Sequence, residues 1–254
     1  VSKDRPIIFS APMVRALLEG RKTMTRRVLK PCVDIPQAIC WVPETAAGVS
    51  FAREGWWTAQ IGERTYTGAA RVGYELGQRL WVRESWQTGS TCNGPQISFR
   101  ATPDFFEINA WDGPDEGCGP SFNYDRCPGS RFYEWLPDVL SRDGPWRSPI
   151  HMPRWASRLT LIIHAVRVER LQDISEDDAL REGIRRVHHG DGEYYYHYER
   201  DDPDPKNWVH ADYAYHELWE QLHGSDSWSA NPWVAAISFR VIRANIDSAE
   251  ARAA

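Results

Sequence analysis

The chain has 254 residues, 42% of them apolar and 26% charged, with a net charge of −5, values ordinary for a folded globular protein. That length allows one large domain or two small ones, each able to bury a core. No run reaches the ~18 apolar residues of a membrane span, and Val1–Pro6 lack the apolar core of a signal peptide, so the expectation is a cytoplasmic protein with no membrane partner. Five scattered cysteines (Cys32, Cys40, Cys92, Cys118, Cys127) are an odd number, which argues against a disulfide framework and for a reducing compartment. The spacing of Cys118 and Cys127 with His188 or His189 matches no tight zinc knuckle, so no metal is expected. No G-x-G-x-x-G, P-loop or G-x-S-x-G string occurs, and no cofactor is expected.

Charge is unevenly spread. Residues 1–30 carry eight Lys/Arg against two acids, a local +6, and residues 189–220 carry nine acids against two bases, a local −7. One basic and one acidic surface are therefore expected. A compact basic face can hold a phosphate, but nothing predicts wide, non-specific polyanion binding.

In chain order, Pro6–Phe9 reads as a buried strand. Ser10 is a candidate N-cap, and Met13/Leu17 with Val14/Leu18 predict an amphipathic helix over 11–19, ended by Gly20. Gly20-Arg21-Lys22-Thr23-Met24-Thr25-Arg26-Arg27 then packs four cations and two hydroxyls into a predicted turn. Lys22 is one of only four lysines among 30 basic residues. Residues 31–68 predict a hairpin or irregular insertion. Arg79–Trp86 alternates as one strand, with Glu84 on the side of Leu80, Val82 and Trp86, where a carboxylate needs a cationic partner. Ile97–Ala101 is a further strand, and 102–145, rich in Gly and Pro, a long ordered insertion. Trp146–Arg158 is a dense polar-aromatic loop: Trp146, Arg147, His151, Arg154 and Trp155 are recognition-type groups on a path stiffened by two prolines. With Trp86, these tryptophans are candidates for stacking a base, against plain packing.

Leu159–Leu171 predicts a long strand, apolar on both faces and so central or barrel-like. Ser175 begins a short helix in a capping box with Asp178, and Gly183 closes it. Glu182 sits at its C-terminal end, where the dipole disfavours an anion and an acid/base role is served. Residues 185–210 predict a flexible insertion or lid, 211–222 a helix, 233–242 a closing strand, and the last dozen residues a frayed tail. The pattern suits an α+β fold, a mixed or barrel-like sheet under one or two helices. Taken alone, Lys22 and Thr25 converge only if they lie in a tight turn, since residues three apart in a strand face opposite sides.

Four segments carry a resemblance. They are the helix ending in Gly20–Arg27, the strand Gly77–Glu84, the helix Glu176–Gly183 and the strand Ile237–Phe239. Through them the chain resembles the ASCH-domain family, whose fold is similar to the PUA RNA-binding domain, and over its whole length the larger ASCH-like proteins of tailed phages and prophages. The resemblance implies a PUA-like mixed β-barrel with covering helices over residues 1–243, long insertions at about 31–68, 87–145 and 185–210, and a tail at 244–254. Small members of the family include an amidohydrolase that removes the acetyl group from N4-acetylcytidine. Carried over by motif position, Thr25 would attack the acyl carbonyl, Lys22 would activate it and Glu182 would transfer the proton. Arg21, Arg26, Glu84, Trp86, Trp146, Arg147, His151, Arg154 and Trp155 are the candidate substrate-binding residues. The expected partner is a modified nucleoside or single-stranded RNA or DNA. The alternatives are a non-catalytic RNA or modified-DNA binding module and a ribonuclease.

Overall fold

The computed structural model describes residues 4–29, 49–52, 56–61, 64–69, 73–91, 94–108, 110, 112, 122–128, 146–199 and 202–253. In chain order the elements are β1 (Arg5–Ile8), α1 (Ala11–Leu18), β2 (Met24–Val28), β3 (Val49–Ala52), β4 (Trp56–Ile61), β5 (Arg64–Ala69), β6 (Arg79–Arg83), β7 (Trp86–Thr91), β8 (Gly94–Phe99), β9 (Thr102–Glu107), β10 (Thr160–Arg170), α2 (Glu176–Arg181), β11 (Arg185–His188), β12 (Tyr194–His197), α3 (Ala211–His223), β13 (Trp233–Ile242) and α4 (Ala249–Ala253). This is an α+β fold with several sheets and few helices, and among the described residues none of the sheets closes into a barrel. Two compact units result: Val1–Glu19, Arg79–Ile162 and Val241–Ala254 form the first, and Gly20–Gln78 with Ile163–Arg240 the second.

In the first unit β1 runs parallel to β6, with Ile7 opposite Val82, and the start of β10 runs antiparallel to β6, with Thr160 opposite Trp81. Leu80, Val82, Leu159 and Leu161 are all within 1% of full burial. Helix α1 buries Met13, Val14, Ala16 and Leu17, as its spacing predicts. Ser10 is its N-cap in an extended conformation, but its side chain makes no capping hydrogen bond. The expected single strand 79–86 is broken: β6 ends at Arg83 and β7 begins at Trp86. From there β7, β8 and β9 form an antiparallel sheet, and Trp86, Ile97, Phe99, Ile108, Met152 and Ala156 pack as its core. The prolines of 146–158 set two single 3₁₀ turns, Pro149–His151 and Arg154–Ala156.

Residues 244–253, expected as part of a frayed tail, carry α4 and belong to the first unit. Ile246 is fully buried, and Asn245 Nδ2 donates to the carbonyls of Arg154, Trp155 and Ser157 at 2.7–3.1 Å. A single carboxamide thus gathers the carbonyls of Arg154, Trp155 and Ser157, the first of which also accepts from the Ser157 amide.

In the second unit the strand order is β10-β13-β2. The segment after Gly20 is only briefly a turn: Met24–Val28 pairs antiparallel with β13, Thr25 opposite Ile237 and Arg26 opposite Ala236. Strands β3, β4 and β5 form an antiparallel sheet that covers the second half of the expected insertion at 31–68 and ends at Ala69; 31–48, 53–55 and 62–63 lie outside the described residues. The expected lid at 185–210 holds a paired hairpin, Arg185 opposite His197, and Tyr196 and Trp208 exchange backbone bonds of 2.7 and 2.9 Å. Of the expected 87–145 insertion, 113–121 and 129–145 lie outside the described residues. Helix α3 buries Ala211, Ala214, Tyr215, Leu218 and Trp219, the i, i+3, i+4 stripe of a core-facing helix. Ser175 caps α2, its side chain accepting from the Asp178 amide at 3.2 Å.

Gly20 has φ +77°, with nothing within 4 Å of where a Cβ would stand. Gly20→Ala therefore clashes with no neighbour and is expected to cost about 1–2 kcal/mol through backbone strain alone. An unchanged urea midpoint would show that the turn relaxes to negative φ.

Candidate functional site: a buried ionic cluster at the end of α2

The last carbonyls of a helix have no partner within it. Three successive residues answer the last carbonyl of α2 and the two that follow it. The Thr23 amide donates to the Arg181 carbonyl at 2.9 Å, Lys22 Nζ donates to the Glu182 carbonyl at 2.7 Å, and the Arg21 guanidinium donates to the Gly183 carbonyl. Two are cations, the charge that a helix C-terminus favours.

Lys22 Nζ also donates to Glu182 Oε2 at 2.7 Å, with Lys22 2% and Glu182 3% exposed. Arg26 reaches the other carboxylate oxygen, Nη1 to Oε1 at 3.3 Å. Its Nη2 donates to Asp178 Oδ2 at 2.9 Å and to Glu169 Oε1 at 2.5 Å, and Nε also reaches Glu169 at 3.0 Å. Arg167 donates to Asp178 and lies 3.5 Å from Glu169. Tyr215, wholly buried on α3, hydrogen-bonds Glu182, and the Arg26 guanidinium stands 5.9 Å from its ring centre. Three cations thus face three carboxylates.

Burial pushes the Lys22 amine below its ordinary value, opposed by the charge of Glu182 and its hydrogen bond. Burial and the Glu182 charge push the Tyr215 hydroxyl well above 10. A lysine with a lowered pKa beside a carboxylate is a pair suited to moving a proton.

Thr25, third of the expected catalytic residues, is buried in β2 at 3% exposure. Strand alternation turns it to the face opposite Met24 and Arg26, whose side chains touch at 3.6 Å. The structure therefore brings Lys22, Arg26 and Glu182 together and sets Thr25 on the other side of the strand from Arg26.

The remaining candidates belong to the first unit, where internal partners hold them. Glu84 is 1% exposed and takes a two-pronged bond from Arg158, both arms at 2.9 Å. Burial raises its carboxyl pKa and Arg158 pulls it back. Trp86 lies in the core, edge-on to Trp155 at 6.3 Å with Arg147 5.0 Å above its ring. Trp155 Nε1 donates to the Pro128 carbonyl, and Arg154 is bound by Asp4 at 2.6 Å and Asp247 at 2.7 Å. Trp146 is half-buried, and Arg147 and His151 are exposed. Packing accounts for Trp86 and pairing for Glu84, both buried and closed to a ligand, whereas Arg154 is paired but half-exposed.

Asp178, Glu169, Arg167 and Tyr215 were missed from sequence. Asp178 read as a capping-box acid because it stands at the third helical position. Its amide does bond Ser175, but its carboxylate serves Arg26. Set against protein-family models, curated proteins and solved structures, the chain matches none, so the site is read from its own residues.

Removing one partner from a buried ion pair strands the other. Arg26→Met leaves three carboxylates without their shared cation and is expected to cost about 3–5 kcal/mol in chemical denaturation; a loss below about 1 kcal/mol would show that water reaches the cluster. Tyr215 gives a pH signature. Its folded pKa is raised above the unfolded value near 10, so its contribution is present below pH 10 and is lost as pH rises further. Tyr215→Phe should flatten the alkaline fall of the thermal midpoint, and parallel curves for the two proteins would contradict this.

Proposed function

We propose that the chain is a nucleoside-directed ASCH-type protein, with an amidohydrolase reaction on N4-acylated cytosine nucleosides as its activity. The observation that carries this reading is the buried 2.7 Å contact between Lys22 and the Glu182 carboxylate, which joins the lysine of the Gly20–Arg27 string to a carboxylate on the later helix. The same reading makes the mixed sheet PUA-like and the protein cytoplasmic.

In this proposal Lys22, its pKa lowered by burial, takes the Thr25 hydroxyl proton as the threonine oxygen bonds to the acyl carbon. The carbon–nitrogen bond breaks, and Glu182 relays the proton from Lys22 to the 4-amino group of the leaving cytosine. Water then hydrolyses the threonine ester, releasing the carboxylic acid and restoring the hydroxyl. The reaction requires the Thr25 hydroxyl to reach the Lys22 amine from its own face of β2.

Incubation of the full chain with N4-acetylcytidine, read by mass spectrometry, is expected to give cytidine and acetate. Lys22→Ala and Thr25→Ala should each lower kcat/KM by about 10²–10⁴-fold. No turnover by the native chain, or turnover that survives Lys22→Ala, would overturn the reading. The orientation of Thr25 favours one alternative, a binding module without chemistry for RNA or modified DNA. A salt-dependent shift of single-stranded RNA with no product would select it.

A further inference from the structure

A second surface, on α3 and the segment before it, stands apart from the Lys22 cluster in chemistry. Trp208, Val209 and Tyr213 are 41%, 62% and 51% exposed. The Trp208 and Tyr213 rings lie 5.9 Å apart, and His210 packs edge-on to Tyr213 at 5.6 Å. Exposed aromatic groups held together in this way mark an interaction surface rather than scattered surface residues.

Carboxylates rim this aromatic patch. Glu217 accepts from Trp208 Nε1 at 2.7 Å and Glu176 meets His210 Nδ1 at 2.7 Å. Glu176, His210 and Asp212 bring ligand atoms within 4.8 Å of one another. The patch lies in the most acidic stretch of the chain, nine acids to two bases over 189–220. Phosphate is repelled here, so the base-stacking use of exposed aromatics is disfavoured.

The complementary ligand is a cation with a flat face. A guanidinium stacks on indole and phenol rings and at the same time donates to carboxylates. The N-termini of α2 and α3 oppose a cation with at most about half a charge each, less than the three carboxylates at the patch, Glu176, Asp212 and Glu217. A bare metal ion would gain the carboxylates but leave the rings unused, whereas arginine uses both.

We propose that the Trp208–Tyr213 patch docks an arginine-rich polypeptide. The proposal stands independently of the hydrolase reading. It is tested with the full chain and short fluorescent peptides of arginine and glycine, lysine and glycine, or glutamate and glycine, alongside a single-stranded oligonucleotide, all read by anisotropy near physiological salt. The arginine peptide should bind best, and Trp208→Ala and Tyr213→Ala should each weaken it about tenfold, the scale of a desolvated cation–π contact. Both side chains are substantially exposed, and unchanged far-ultraviolet circular dichroism confirms that the variants fold. Absence of arginine-peptide binding overturns the proposal. So does binding indifferent to both substitutions, which is generic attraction to an acidic protein, and so does oligonucleotide binding lost in Trp208→Ala.

Discussion

The end of α2 is the point on which the second unit's polar interior depends. The Arg181 carbonyl that ends α2 and the Glu182 and Gly183 carbonyls that follow it have no helical partners, and buried carbonyls must be paired. Residues 21–23 supply a donor to each of three successive carbonyls. That docking fixes the entry of β2, so that Arg26, four residues after Lys22, arrives where Glu169, Asp178 and Glu182 converge. The ionic cluster is then the consequence of a capping problem solved by cations. Each desolvated charge is tolerable because an opposite charge meets it at hydrogen-bond distance.

The first unit solves a similar problem with different chemistry. Glu84 sits where β6 ends, at a position whose neighbours are apolar. Arg158 covers it with two bonds and is itself bonded to Thr102 and flanked by Phe99 at 4.2 Å and Phe106 at 5.3 Å. Arginine suits this place because its planar head can bind a carboxylate at its edge and aromatic rings on its faces. The same property ties Arg154 to both ends of the first unit, through Asp4 and Asp247. A chain that uses arginine in preference to lysine builds its interior from such forks.

Local patterns were legible in the sequence wherever one short-range rule dominated. The spacing of α1 and α3, the Ser175 cap, the long apolar strand β10 and the closing strand β13 all follow from periodicity or capping within a few residues. Long-range pairing was not legible. Arg26 reads as one cation of a basic turn until β2 is known to lie beside β13, and Glu169, in a strand read as apolar on both faces, carries no signal until Arg26 reaches it across 143 residues of sequence. The tail looked polar and unanchored because Asn245 and Asp247 carry no hydrophobic signal, yet their hydrogen bonds hold it. Tryptophan was ambiguous for a related reason: the same ring serves a core, as in Trp86, or a surface, as in Trp208, and only its neighbours decide. That Lys22 and Glu182 meet across 160 residues of sequence is not written in any local pattern, and Thr25's orientation follows from strand register, which the motif spacing does not encode.

Lys22 is held by two oxygens of one residue, the backbone carbonyl of Glu182 and its carboxylate. The first oxygen belongs to every amino acid, and the second only to the side chain. Location and charge at this amine are therefore written in different parts of the polymer. Exchange of the side chain at 182 removes this charge partner of the lysine and leaves the main-chain anchor.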